Sequence, residues 1–294
     1  MPAREAWERE RSTWPNHEAS RFVAAGGIRW HVQQMGSGQP LLLVHGTGAS
    51  THSWRDVMPL LARHFSVLAV DLPGHGFSES RSGACASIHG MSECLSALLA
   101  ELSFKPSYCV GHSAGAVILC RMALDRRIDP CLIISINGAF LPLGGAAGVL
   151  FSPLARVLSR SAFLPRLLSR RAGNPQNVAR VLDGTGSKID AQGLDFYTRL
   201  VRNPQHVAGA LAMMGGWDLR SFARDLPRLT LPLALVVGGN DRTVPPGQAL
   251  DVQRLVPHAT ICSMPGLGHL AHEEQPASAA LVILELCGAG AVAR

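Results

Sequence analysis

The stretch that decides the fold is YCVGHSAGAVIL, residues 108–119. A short apolar run leads into a serine that has a glycine two positions before it and another two positions after it, and an apolar segment of helical periodicity follows. A serine on a sharp turn from strand to helix needs small neighbours at both flanking positions. The Gly-x-Ser-x-Gly pattern alone is weak, and its position between a predicted strand and a predicted helix strengthens it. We therefore predict that Ser113 is a nucleophile exposed above a sheet, at the N-terminus of a helix.

Strands and helices alternate on both sides of this turn. Apolar runs bounded by Gly, Pro or Asp predict buried strands at residues 41–44, 65–70, 108–110, 132–136 and 233–237, and a final strand is predicted at residues 260–264. Helical stretches are predicted at residues 54–63, 91–102, 114–126, 248–255 and 277–286. Alternation around Gly26-Gly27 predicts a hairpin over residues 21–34. This order predicts an α/β fold with a mostly parallel central sheet and helices on both faces.

One long interval breaks the alternation. About 95 residues separate the strand that ends near Asn137 from the strand that begins near Leu233, which is too many for one crossover helix. Five prolines divide most of this interval into short helical pieces. We predict an N-terminal arm at residues 1–20, a core formed by residues 21–139 and 218–294, and an inserted helical cap at residues 140–217.

A serine hydroxyl is a poor nucleophile unless a base accepts its proton. In folds with this turn, the acid and the histidine follow the serine in the chain. Asp241 lies just past the predicted strand 233–237, and His269 lies just past the last predicted strand, behind two glycines. We predict that Ser113, Asp241 and His269 form a catalytic triad. The alternatives left open are His272 for the base, and Asp218 and Asp225 for the acid.

Acyl transfer also needs donors that face a developing oxyanion. The backbone amide of Ala114 directly follows the nucleophile, and the amide of Thr47 lies between two glycines after the strand 41–44. We predict that these two amides form the oxyanion hole. Further contacts with substrate are predicted for Gly46, Trp54, His112, Phe140 and Trp217.

The amino-acid composition restricts the class of protein to which this chain can belong. Hydrophobic residues make up 47% of the chain and charged residues 16%, which predicts a globular protein. The net charge of +6 comes almost wholly from arginine, but no basic stripe with interleaved aromatics is present, so we expect no nucleic-acid partner. Neither a nucleotide-binding loop nor metal-ligand spacing occurs, so we expect no cofactor and no bound metal. The seven scattered cysteines and an N-terminus without a signal peptide favour a soluble, cytoplasmic protein.

The motifs at residues 45–48 and 111–115, with Asp241 and His269, resemble the α/β-hydrolase superfamily over nearly the whole chain. Serine at the turn, in place of aspartate, argues against its haloalkane dehalogenase and epoxide hydrolase branches. Other stretches resemble the BchO family of magnesium chelatase accessory proteins more closely: WPN at 14–16 with Ser20, FVAAGGIRWHVQ at 22–33 and HGTGASTHSWR at 45–55. This resemblance implies a role around the insertion of Mg²⁺ into protoporphyrin IX in bacteriochlorophyll biosynthesis. It also implies a tetrapyrrole or other small-molecule substrate, and magnesium chelatase subunits as partners.

The predicted cap is rich in arginine. Residues 138–182 contain no Asp or Glu and six arginines, namely Arg156, Arg160, Arg166, Arg170, Arg171 and Arg180. This pattern predicts a basic amphipathic surface for anionic lipid, at the periphery of the inner membrane, or a clamp for porphyrin propionates. The alternative is a cap that packs its apolar residues inward and leaves its arginines in water.

Three hypotheses for function follow. The first is an active serine hydrolase that cleaves a small or tetrapyrrole-linked ester or related bond. The second is a non-enzymatic accessory protein that binds porphyrin or chelatase subunits and keeps the triad as a relict. The third is a generic ester or carbon–carbon bond hydrolase unrelated to pigments.

Overall fold

The computed structural model describes residues 3–80, 83–142 and 164–292. Its centre is an eight-stranded sheet in the order β1-β2-β4-β3-β5-β6-β7-β8. Strand β2 is antiparallel to both β1 and β4, and all other neighbours are parallel. The strands are β1 (Ser20–Ala25), β2 (Ile28–Met35), β3 (Gln39–Val44), β4 (Phe65–Val70), β5 (Tyr108–His112), β6 (Leu132–Ile136), β7 (Leu233–Gly238) and β8 (Thr260–Met264). The predicted mostly parallel sheet is therefore confirmed.

Twelve α-helices lie within the described residues. They are α1 (Ala3–Glu10), α2 (Val57–Leu61), α3 (Ile88–Glu101), α4 (Ala114–Leu124), α5 (Leu164–Ala172), α6 (Pro175–Gly184), α7 (Ala191–Arg202), α8 (Pro204–Gly216), α9 (Leu219–Asp225), α10 (Gln248–Leu255), α11 (Ala271–Glu274) and α12 (Pro276–Val292). Across the described part of the chain, none of these helices is long and apolar enough to span a bilayer.

The core is divided by the sheet, because successive side chains of a strand point to opposite faces. In β3, Leu42 and Val44 pack on the face that α3 and α4 cover, whereas Leu41 and Leu43 pack on the face that α2 and α12 cover. All four side chains are completely buried. Because both faces of β3 are buried, residues 41–44 form a continuous apolar run.

Four chain segments leave the carboxyl ends of parallel strands at the same edge of the sheet. The turn containing Gly46 follows β3, and Ser113 follows β5. The loops that carry Asp241 and His269 follow β7 and β8. In open α/β sheets this edge is where ligands bind, so the topology brings the predicted site residues to one place.

The N-terminal arm is folded, where the sequence indicated only a polar segment. Helix α1 directs Trp7 into a small aromatic cluster, and its ring centroid lies 5.0 Å from that of Phe77. Trp14 packs edge-on against Phe77 at 4.7 Å and against Phe196 of α7 at 5.3 Å. These partners lie far away in the sequence, so the helical arm depends on tertiary contacts that local composition does not reveal.

The predicted helix at residues 54–63 is also shorter in the structure. A 3-10 turn, Thr51–Trp54, precedes α2, which begins only at Val57. Pro59 has no amide hydrogen, so a continuous helix would leave the carbonyl of Arg55 without its usual partner. That carbonyl instead accepts a hydrogen bond from the side chain of Asn16 at 3.0 Å.

Helices α5 to α8 occupy the interval between β6 and β7, and we call them the cap helices. Residues 143–163 of the predicted cap, including Arg156 and Arg160, lie outside the described residues. Arg166, Arg170, Arg171 and Arg180 are exposed on α5 and α6.

Candidate active site

Ser113 occupies the tight turn between β5 and α4. Its backbone has φ +50°, which is strained for a residue with a side chain and occurs mostly at functional sites. The glycines on either side are sterically required. A Cβ at Gly111 would collide with the backbone of Ala116, and a Cβ at Gly115 would collide with the carbonyl of Val44. The turn thus depends on the absence of a side chain two positions before and two positions after Ser113.

Asp241 and His269 form a buried hydrogen-bonded pair. His269 Nδ1 lies 2.8 Å from Asp241 Oδ2. The other carboxylate oxygen accepts the amides of Thr243 and Val244 at 2.7 and 2.9 Å. These bonds orient the carboxylate. Because a carboxylate oxygen accepts, Nδ1 of His269 is the donor, and Nε2 is left for another partner. Such a pair can accept a proton and stabilise the imidazolium that results.

The loop of His269 is joined to the residue that precedes Ser113. The backbone carbonyl of His269 accepts hydrogen bonds from His112 Nε2 and Asn137 Nδ2, both at 2.9 Å. Asn137 also accepts the amide of Gly238 at 2.7 Å, which ties the end of β7 to the same point. Burial lowers the pKa of His112 well below its usual value, so His112 stays neutral at pH 7. Sequence reasoning missed Asn137, although its place directly after the predicted strand at residues 132–136 was a signal.

In the described residues, Ser113 and His269 make no direct hydrogen bond with each other. Hydrogen bonds between a nucleophile and its base are often long before substrate binds and shorten in the complex. The structure brings Asp241 and His269 together beside the turn of Ser113. The role of Ser113 as nucleophile stays a prediction.

The turn Gly46–Ala49 lies directly against Ser113. A Cβ at Gly46 would lie 3.0 Å from that of Ser113 and 2.9 Å from His112 Nδ1. The amide of Ala49 donates to the carbonyl of Gly46 at 3.2 Å, and Gly48 has φ +78°, as the third residue of a type II turn requires. Within the described residues, the amides of Thr47 and Ala114 donate to no acceptor, so both are available to an oxyanion.

The structure separates the other predicted contact residues into two groups. Gly46 and His112 adjoin Ser113. The remaining three lie in the core: Trp54 is completely buried against His272, Phe140 stacks on Phe222, and Trp217 is 6% exposed.

The alternatives to the triad have other partners. His272 Nε2 bonds to Ser53 at 2.9 Å, and burial lowers the pKa of His272 to about 3. Asp225 accepts a hydrogen bond from Arg121 at 2.7 Å, and Asp218 caps α9 by accepting the amide of Ser221. None of the three is hydrogen-bonded to His269.

The comparisons with known proteins identify the family. The sequence model of the alpha/beta hydrolase family matches residues 41–280. The chain belongs to the α/β-hydrolase family. It is 39% identical over 264 residues to the "Magnesium-chelatase 30 kDa subunit" of Rhodobacter capsulatus, covering 89% of this chain and 92% of that protein.

Other known proteins are similar to this chain at lower identity. A pimeloyl-[acyl-carrier protein] methyl ester esterase of Vibrio vulnificus is 28% identical over 77% of this chain and 86% of its own length. The crystal structure of an alpha/beta hydrolase fold protein from Burkholderia ambifaria superposes with a TM-score of 0.76 at 22% identity, over 91% of this chain and 97% of that one. The predicted fold class is confirmed.

A buried polar cluster links the hydrolase core to the cap helices. Oε1 of Glu273 accepts hydrogen bonds from Ser53 Oγ at 2.5 Å and from Tyr197 of α7 at 2.7 Å. Arg55 bonds to Asp190, which caps α7, at 2.9 Å, and its guanidinium lies 3.9 Å from the second oxygen of Glu273. Burial raises the pKa of Glu273 to about 7. No local sequence pattern predicts this cluster, because its members come from three separate segments of the chain.

A second buried His–Asp pair supports the loops of the hydrolase core. Asp71, at the end of β4, lies 2.8 Å from His31 Nδ1 and accepts the amides of Thr51 and Phe77 at 2.7 and 2.9 Å. Burial alone would raise the pKa of Asp71, but the charge and the hydrogen bond of His31 lower it below its usual value. Asp71 thus stays ionised and anchors the segment after the Gly46–Ala49 turn.

Metal ligands are not grouped in the described part of the chain. No cluster of three or more His, Cys, Asp or Glu side chains there is arranged to hold a metal ion. Among the described residues, the seven cysteines form no disulfide bond.

Proposed function

We propose that the chain is a serine hydrolase that acts as an accessory protein around magnesium insertion into protoporphyrin IX. The hydrogen-bonded pair of Asp241 and His269 beside the strained turn of Ser113 supports the chemistry. The 39% identity to a protein named as a magnesium chelatase subunit supports the biological setting.

In the proposed reaction, Ser113 Oγ attacks the carbonyl carbon of an ester or related acyl compound. His269 Nε2 accepts the hydroxyl proton as the new bond forms, and the carboxylate of Asp241 stabilises the imidazolium. The amides of Thr47 and Ala114 bind the oxyanion of the tetrahedral intermediate. His269 then gives the proton to the leaving group, and water hydrolyses the acyl-enzyme by the same steps.

A non-enzymatic role is the second candidate, because the similar Rhodobacter protein is named as a subunit and not as an enzyme. In that case the chain binds porphyrin or chelatase subunits, and Ser113 is a relict. Complementation of a deletion strain separates the two candidates. We expect Ser113→Ala to block pigment synthesis as the deletion does, and Ser263→Ala, which changes an exposed serine at the edge of the sheet, to restore it. Normal pigment with Ser113→Ala would instead support the accessory role.

The exposed arginines of α5 and α6 support a further part of the proposal, peripheral contact with an anionic membrane or with porphyrin propionates. Arg170, Arg171 and Arg180 lie within 11 positions of one another and are all exposed. Flotation with anionic and neutral vesicles tests the lipid contact. Binding to anionic vesicles that salt reverses is expected, and its absence at low salt would rule that contact out.

A further inference from the structure

One face of cap helix α8 contacts the loops that surround the candidate oxyanion hole. His206, Gly209 and Met213 are spaced three and four residues apart, so their side chains lie on the same side of the helix. Each of the three is in contact with the Gly46–Ala49 turn or with the neighbouring turn at residues 71–76. The cap and the site therefore meet along a continuous surface.

His206 joins both turns. Its Nδ1 accepts the amide of Gly76 at 3.0 Å, so the ring proton is on Nε2, which donates to the carbonyl of Gly48 at 3.1 Å. The side chain is buried, and burial lowers the pKa of His206 to about 4. At neutral pH the imidazole is uncharged, which this pair of hydrogen bonds requires.

Gly209 lets the helix approach closely. A Cβ at this position would collide with the carbonyl oxygen of Gly74, so even alanine would push α8 away from the turn. One helical turn further along, the hydroxyl of Thr47 donates to the sulfur of Met213 at 3.4 Å. The side chain of Thr47 is thus held by helix α8, and the amide of the same residue is the predicted second oxyanion donor.

The Gly46–Ala49 turn needs this support. It has one internal hydrogen bond, at 3.2 Å, and glycine on both sides of Thr47, which leaves the backbone many accessible conformations. The direction of the Thr47 amide is therefore set largely by its neighbours. An oxyanion donor must lie within a few tenths of an ångström of its place, and a displacement of about 1 Å can lower a rate by about 100-fold.

We propose that α8 is part of the catalytic machinery, with His206 and Gly209 as positioning residues that hold the Thr47 amide in the oxyanion hole. This inference rests on the proposed serine hydrolase. In this arrangement, catalysis requires α8 to stay in contact with the Gly46–Ala49 turn. A ligand or partner that moves α8 away from the turn would also displace the Thr47 amide from the oxyanion hole.

Gly209→Ala tests the inference, with Gly288→Ala as its matched control. Gly288 is also inside a helix, α12, but a Cβ there meets open space. Alanine favours the helix similarly at both positions, so the difference between the variants reports the contact with Gly74. Hydrolysis of p-nitrophenyl butyrate would be measured together with the affinity for phenylboronic acid, which forms a tetrahedral adduct with an active serine.

For Gly209→Ala we expect kcat to fall by about 10- to 1,000-fold, with KM changed less than about threefold. The affinity for the boronic acid should fall with kcat, because both depend on the oxyanion hole. The pH dependence of kcat/KM should stay as in the wild type, since the pair of Asp241 and His269 is untouched. Gly288→Ala should match the wild type in every respect.

Two further measurements keep the inference open to refutation. Hydrogen exchange of the peptide covering residues 45–50 should be faster in Gly209→Ala and unchanged in Gly288→Ala. This measurement requires no substrate. His206→Gln, which retains a donor and an acceptor, should keep more activity than His206→Ala. Equal kcat in the two glycine variants, or a loss that appears only in KM, would overturn the role of α8. An unreactive, folded wild type would instead refute the proposed hydrolase, and the inference with it.

Discussion

Replacing Glu273 by glutamine is expected to remove one contribution to the pH dependence of stability, the loss of stability as the pH rises through about 7. The carboxyl of Glu273 is about 1% exposed and joins the His269 segment to the cap helices. The groups that face it are Ser53, Tyr197, Arg55, Asp190 and His272. Glutamine keeps an oxygen that accepts from Ser53 and Tyr197 but cannot ionise.

The magnitude follows from the pKa of Glu273. Burial raises this pKa to about 7 from its ordinary 4.5. A pKa difference of about 2.5 corresponds to about 3 kcal/mol. The folded protein keeps this proton at pH values where the unfolded chain has lost it. The stabilisation is therefore fully present below about pH 4.5 and is lost as the pH rises through about 7.

Urea denaturation at several pH values between about 5 and 8 measures the effect. The free energy of unfolding of the wild type should fall relative to that of Glu273→Gln by up to about 3 kcal/mol over this range. Glu285→Gln is the matched control, because Glu285 is exposed on α12, and its pH dependence should equal that of the wild type. If wild type and Glu273→Gln keep the same stability difference within about 0.5 kcal/mol from pH 5 to 8, the account of this cluster is wrong.

Three further predictions concern single residues. Asp241→Asn should lower kcat by about 10³- to 10⁴-fold without loss of folding, because an amide no longer fixes the tautomer of the base; ester hydrolysis and circular dichroism check this. Asp71→Asn should destabilise the protein by about 3 kcal/mol at pH 7, since it leaves the buried donors around His31 poorly matched. Because the pKa of Asp71 is lowered, the difference in the free energy of unfolding between wild type and Asp71→Asn should shrink as the pH falls below about 4. Urea denaturation at several pH values measures this, and a difference that does not shrink would contradict the role of the ionised Asp71. Gly115→Ala should cost about 1 to 3 kcal/mol, measured in the same way, because its methyl group collides with the carbonyl of Val44.

The parts that sequence reasoning predicted are those with a local physical cause. The turn of Ser113 was predicted because Gly111 and Gly115 are required by collisions within a few residues or with an adjacent strand. The strands β4 and β6 were predicted with the observed bounds, since short apolar runs between turn residues are typical of strands in a parallel sheet, and β8 matches the final strand predicted at residues 260–264. The positions of Asp241 and His269 followed from the order of acid and base in the chain.

The missed parts depend on contacts between distant segments. Glu273 and Tyr197 are 76 positions apart, and His206 and Gly48 are 158 apart, so no local pattern relates them. Trp54 is completely buried in the core, and its predicted contact with substrate stays a prediction. An aromatic residue near a functional loop packs in the core as readily as it binds a ligand, and only the tertiary structure separates the two.

The most direct test of the central claim is reaction of the folded protein with a fluorophosphonate, followed by mass spectrometry of its peptides. The proposed chemistry predicts one phosphonylated residue, Ser113, with no labelling of Ser113→Ala and normal labelling of Ser263→Ala. It also predicts much slower labelling of His269→Ala, since the serine then lacks its base. A folded wild type that does not react, or that reacts equally well in Ser113→Ala, would contradict the claim that Ser113 is an activated nucleophile.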